Sequence, residues 1–249
     1  MWKGSLLQIL SFSIFGTISL CSCPAQAEES LKILFEIREP FAYKNPQGKI
    51  TGVLAETVER ALIKAKIPFE WVETPFKRQL NVIERNDDTS CALGMFKTKE
   101  RSRYGKFSAP IFHDQDHPSI MLIHRDLKIP PSLDLLQALS QTGARLLKKE
   151  TASYGQIIDD AIERSKVRVV TTTAESRNMA KMLVARRADF IFVSAEEAQS
   201  LIKSTPNGDQ LYIYTPSGMP QVQERYLMCA NRVSEDLLKR FNQALSNIN

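Results

Sequence analysis

Thr98 and Arg101 lie in the stretch Lys97 to Pro110, K-T-K-E-R-S-R-Y-G-K-F-S-A-P, directly after an apolar run, Ser90 to Met95, that reads as a strand. A guanidinium held just past the carboxyl end of a strand in an α/β sheet points into the crevice where such sheets bind ligands. Its planar fork matches a carboxylate with two parallel hydrogen bonds. The chemistry implied is capture of a carboxylate. No H-E-x-x-H, G-x-S-x-G, phosphate-binding G-x-x-x-x-G-K or dinucleotide G-x-G-x-x-G pattern occurs, so no hydrolytic machinery and no cofactor is expected. His113 and His117, with Asp114 and Asp116 between them, have a spacing that suits zinc only on a helix. Pro118 and the apolar run after it make this an extended segment, so no metal site is expected.

The elements that position these residues alternate. Leu31 to Glu36 is a short apolar strand, Pro40 to Gly52 is rich in turn formers, and Leu54, Val58, Ala61, Leu62 and Ala65 recur at helical spacing until Pro68. A strand over Phe69 to Val72, a helix over Phe76 to Glu84 and the strand Ser90 to Met95 complete a β-α-β-α-β unit. Alternation of this kind predicts a mostly parallel sheet covered by helices on both faces. The rhythm restarts at strand Ser119 to His124. It continues through a helix at Leu133 to Leu139, strand Ala144 to Leu147, helix Gly155 to Ile162 and strand Val167 to Val170. Thr172 and Glu175 have the spacing of a capping box before a helix that buries Met179, Met182 and Leu183. Strand Asp189 to Val193, helix Ala195 to Ile202, strands Leu211 to Tyr214 and Tyr226 to Ala230, and a final helix capped by Ser234 follow. Two α/β units are implied.

Residues 1–27 read as a secretory leader: Lys3, an apolar run from Leu6 to Leu20, and the small-residue site Ala25-Gln26-Ala27. A second processing route is open, because Leu20-Cys21-Ser22-Cys23 resembles a lipobox in which Cys23 would carry lipid. Export to the periplasm is expected either way. Loss of Lys3 takes the formal charge from +5 to +4. The bases are interspersed with acids, which argues against a nucleic-acid partner. Cys91 and Cys229 remain in an oxidising compartment. They are either two buried thiols or a disulfide whose long loop would be worth on the order of 4 kcal/mol.

The order of these pieces resembles the family 3 periplasmic solute-binding proteins, which include polar amino-acid-binding components of ABC importers. The landmarks are E-P-F-A-Y-K-N-P-Q-G-K-I-T-G at 39–52, Phe76-Lys77-Arg78, T-K-E-R at 98–101 with F-S-A-P at 107–110, and A-R-R-A-D-F at 185–190. The resemblance implies a periplasmic binding protein-like fold, two α/β lobes joined by a two-crossing hinge: lobe 1 from 28–115 and 222–249, lobe 2 from 116–221. It brings the Cys91 and Cys229 strands together and favours the disulfide. It implies that Arg101 grips a carboxylate with Thr98 in the accompanying turn, that Asp189 receives an α-ammonium, that Phe76 forms an aromatic wall, that Thr151 and Ser153 offer hydroxyls, and that Tyr226 stands by the return hinge.

The chain departs from the pattern at Gly94-Met95-Phe96-Lys97, where hydroxyl-bearing residues are usual, and at Arg38, where an aromatic is usual. With Arg78 nearby, three guanidinium groups would face Asp189, which favours an anionic ligand. Plainer roles exist for each: surface pairing of Arg38 and Arg78 with Glu36, Glu39 or Glu73, and helix capping for Thr151 and Ser153. The function implied is a non-enzymatic receptor, monomeric, that closes around a small carboxylate-bearing, amino-acid-like solute for an inner-membrane permease or a sensor. A sensory homologue without transport, or a cleft enzyme removing water or carbon dioxide from small acids, are the alternatives on the same scaffold.

Overall fold

The computed structural model describes residues 1–2, 30–113, 119–140, 143–220 and 224–248. The expected leader, with Cys21 and Cys23, falls almost entirely outside them, as do Asp114 to Pro118. The first half runs β1 (Leu31–Phe35), β2 (Tyr43–Lys44), β3 (Ile50–Thr51), α1 (Val53–Lys64), β4 (Phe69–Glu73), α2 (Phe76–Arg85), β5 (Ser90–Met95), β6 (Gly105–Phe107) and β7 (Phe112–His113). The second set is β8 (Ser119–His124), α3 (Leu135–Leu139), β9 (Arg145–Lys149), α4 (Gln156–Ser165), β10 (Arg168–Thr172), α5 (Ser176–Val184), β11 (Phe190–Ser194), α6 (Ala195–Ser204) and β12 (Leu211–Tyr214). The chain closes with β13 (Glu224–Ala230) and α7 (Glu235–Ser246). Among the described residues no helix is long and apolar enough to cross a membrane.

Two large sheets result, one per lobe, beside the small β2–β3 hairpin. The first has the order β4-β1-β5-β13-β6 with β7 on β13, and the second β10-β9-β11-β8-β12. Strands β4, β1 and β5 are parallel, as are β10, β9 and β11. Both are mostly parallel, as the alternation predicts, and in each one strand runs against the rest, β13 between β5 and β6 and β8 between β11 and β12. The cause is connectivity. Strands β8 and β13 follow the two passages of the chain between the sheets and enter from the opposite end.

Helices cover both faces of each sheet. Leu54, Val58 and Leu62 of α1 meet Leu237 and Phe241 of α7 on one face of the first, and Leu80 and Ile83 of α2 pack on the other. In the second sheet α3 and α4 lie on one face, α5 and α6 on the other. Each such fully buried aliphatic or aromatic side chain contributes about 1.5–3 kcal/mol by leaving water. Ser234 caps α7 by accepting from the Leu237 amide at 3.1 Å. The capping box at Thr172 does not form: Thr172 ends β10, its hydroxyl accepts from the Ala174 amide at 3.0 Å, and α5 starts only at Ser176.

Cys91 and Cys229 face each other in the antiparallel register of β5 and β13 and form a disulfide. It fastens the last strand to the centre of the first sheet, under α1 and α7.

Candidate functional site

The parallel strands of the two sheets present their carboxyl ends to a shared cleft, which encloses a cavity of about 110 Å³. Residues just beyond those ends line it. The first lobe supplies Glu36 and Arg38 after β1, Phe76 after β4, and Phe96 and Arg101 after β5. From the second come Lys149 at the end of β9, Ser153 and Tyr154 before α4, Phe192 in β11 and Glu197 in α6. Gly94, at φ +72, turns the end of β5 so that Met95 and Phe96 reach the cleft.

Arg101 is fixed by its own turn. Thr98 Oγ1 accepts from its amide at 3.2 Å, Nη1 donates to the Phe96 carbonyl at 3.0 Å, and Nη2 donates across the cleft to the Thr151 carbonyl at 3.1 Å. The guanidinium carbon stands 5.7 Å from the Phe76 ring centroid. The residue is only 4% exposed. Among the described residues no carboxylate forms an ion pair with it, and burial pulls its pKa down from the ordinary arginine value. A cation stripped of water and left with two neutral carbonyls is a poorly compensated charge, and an incoming anion corrects it.

Two cation–acid pairs cross the cavity from lobe to lobe. Arg38 grips both oxygens of Glu197, Nε to Oε1 at 2.8 Å and Nη2 to Oε2 at 2.6 Å. Lys149 Nζ donates to both oxygens of Glu36 at 2.6 and 2.7 Å. Burial alone would raise the pKa of Glu197, but the Arg38 charge and hydrogen bonds, with the Ser176 hydroxyl and the Lys149 charge, hold it below the usual carboxylate value. Arg225, on β13, stacks 4.1 Å from the Phe96 centroid and 5.7 Å from that of Phe41. Burial raises the Tyr154 hydroxyl far above its ordinary pKa, so it stays neutral.

Of the residues singled out in the sequence, Arg101, Phe76, Arg38 and Ser153 line the cavity. Arg38 pairs with Glu197 and not with the surface acids near it in sequence. Ser153 spends its hydroxyl on Asp159 while accepting from the Gly155 amide, as a bracket for the entry to α4.

The remaining five are not cavity-lining. Asp189 precedes β11 and so sits at the amino end of a parallel strand, far along it from the cleft. There the side chain accepts from the Arg145 amide at 2.8 Å, Nε at 2.9 Å and Nη2 at 3.0 Å, tying β9 to β11. Burial pushes its pKa up and the Arg145 contacts outweigh that, leaving it lowered. Arg78 is exposed on α2. Thr151 turns its side chain to solvent and contributes only its carbonyl, from a left-handed residue at φ 59. Thr98 acts on Arg101 and not on the cavity. Tyr226 packs edge-on to Phe107 and donates to Glu224; burial pushes its phenol up to about 12.

Glu197, Lys149 and Arg225 are the charged lining residues that sequence reasoning passed over. A signal existed for one: Ser194-Ala-Glu-Glu197 has capping-box spacing, and Ser194 does accept from the Glu197 amide at 3.2 Å. The Glu197 carboxylate, however, turns to Arg38.

The chain matches the family described as bacterial extracellular solute-binding proteins, family 3, over residues 31–249. Among curated proteins none matches it. An ancestral arginine-binding protein bound to arginine shares 19% identity at TM-score 0.70, covering 88% of this chain and 92% of that one. Holo ArgBP from T. maritima is 18% identical at TM-score 0.68, with 88% and 89% covered. A histidine kinase sensor domain similar to periplasmic binding proteins is 17% identical at TM-score 0.69, with 89% and 90% covered. At such identities the likeness is one of fold: two lobes of the periplasmic-binding-protein kind.

Proposed function

The chain belongs to the bacterial extracellular solute-binding proteins of family 3, and on that footing we propose that it is a periplasmic receptor that closes around a small carboxylate-bearing solute anchored by Arg101. The observation that carries this reading is the buried Arg101 guanidinium, held by two carbonyls and ion-paired with no acid among the described residues. In this reading lobe 1 comprises 28–115 and 222–249, and lobe 2 comprises 116–221. Lobe 1 receives the carboxylate first, beside Phe76. Tyr154 and Phe192 come into range only when lobe 2 shuts, and the Thr151 carbonyl then braces Arg101, so the solute shifts the equilibrium toward the closed form by contacts made only there. The closed form is what a membrane partner, an importer permease or a sensor, would recognise. Both cleft acids are spoken for, Glu36 by Lys149 and Glu197 by Arg38, which supports binding without turnover.

Native mass spectrometry of freshly purified protein tests the reading. A small acid should ride on the wild type and be absent from Arg101→Ala. Equal retention by both proteins counts against it, as does a wild type that carries nothing and gains no thermal stability from any acid in a carboxylate panel.

A further inference from the structure

The cavity pairs its acids and leaves its walls apolar. Glu36 and Glu197 are the carboxylates among its described lining residues, and each is held at two oxygens by a base from the opposite lobe. An α-ammonium entering here would have to displace a bidentate guanidinium from Glu197 or an ammonium from Glu36. The released base would then need a new partner in a site already rich in cations. Meanwhile the walls are rings: Phe35, Phe41, Phe76, Phe96, Phe192 and Tyr154 surround the space. Its volume, about 110 Å³, is of the order that admits one ring-sized body. Apolar walls beside the Arg101 guanidinium, which no acid among the described residues ion-pairs, select an apolar body with a carboxylate head.

We propose that the solute is a ring-bearing or similarly apolar monocarboxylate without an α-ammonium group, its carboxylate on Arg101 and its body among the phenylalanine rings. This rests on the Arg101 reading above and narrows it. Polar amino acids are disfavoured twice, by the occupied acids and by unsatisfied side-chain polarity against the rings.

The test is a calorimetric titration of the wild type with hydrocinnamate, its α-amino counterpart L-phenylalanine, L-glutamine, glutarate and phenethylamine. Hydrocinnamate should bind at least about tenfold more tightly than each of the others. L-Phenylalanine, L-glutamine or glutarate binding as tightly or more tightly overturns the proposal and leaves carboxylate anchoring intact, provided Arg101→Ala abolishes that binding. Phenethylamine binding as tightly as hydrocinnamate overturns carboxylate anchoring as well. No binding by any of the five overturns the proposal, and the mass spectra then decide the wider reading. A second variant, Arg38→Met, frees Glu197 to accept an ammonium and should shrink the preference for hydrocinnamate over L-phenylalanine; an unchanged ratio contradicts the exclusion mechanism.

Discussion

Arg38, from the turn after β1, and Glu197, from the first turn of α6, meet across the cleft in a two-pronged ion pair with the acid side chain only 1% exposed. With the Lys149–Glu36 pair it ties one lobe to the other across the cleft. Removing one member of a buried pair leaves an uncompensated charge and costs about 3–5 kcal/mol. Here the molecule has an escape, because parting the lobes rehydrates Glu197. Arg38→Ala should therefore open the cleft more than it unfolds either lobe. Small-angle scattering should show a larger radius of gyration for Arg38→Ala than for wild type, with the double variant Arg38→Met, Glu197→Leu close to wild type. An unchanged radius in Arg38→Ala would mean that the pair does not hold the lobes together.

Acid should loosen the same link. Glu197 titrates below its ordinary value in the folded protein, so its contribution is complete above the unfolded-chain pKa of about 4.3 and is lost as pH falls through the lowered folded value. Asp189, lowered by Arg145, adds a term of the same sign in the second lobe. Melting temperature should be insensitive to these two groups at neutral pH and fall below about pH 4, with a shallower fall in Glu197→Gln. Identical acid limbs for the wild type and Glu197→Gln would reject the assignment.

The disulfide between Cys91 and Cys229 closes a loop of 138 residues of sequence separation, for which chain entropy gives a stabilisation of about 4–5 kcal/mol. Both cysteines are fully buried. Intact mass under denaturing conditions should lie about 2 Da below the reduced value, and a reductant should act only once the first lobe unfolds. The Cys91→Ala, Cys229→Ala variant should lose stability in urea without losing solute affinity. Two freely alkylated thiols in the unreduced protein would contradict the pairing.

Much of the scaffold is written in periodicity. The strands Ser90–Met95, Ser119–His124 and Leu211–Tyr214 follow from apolar runs, and α1 from the spacing of Leu54, Val58 and Leu62, because burial fixes which residues must face inward. The hairpin of β2 and β3 and the short β6 and β7 have too few residues to show a period. The site is legible only in part. Arg101 and Phe76 sit beyond strand ends, and strand direction carries them to the cleft. The same rule keeps Asp189 out, since it precedes its strand, and a motif match places it in the site where strand polarity does not. Glu197 looks in sequence like any acid that favours a helix N-terminus, and only the meeting of the two lobes gives it Arg38.

The central claim is that a buried guanidinium from the first lobe holds the solute's carboxylate. It is tested most directly by titrating the tightest-binding acid into the wild type and Arg101→Ala at one pH and salt concentration. The account expects a loss of roughly 2–5 kcal/mol in affinity for Arg101→Ala, with the melting temperature of the empty protein little changed. Equal affinity in the two proteins would contradict it.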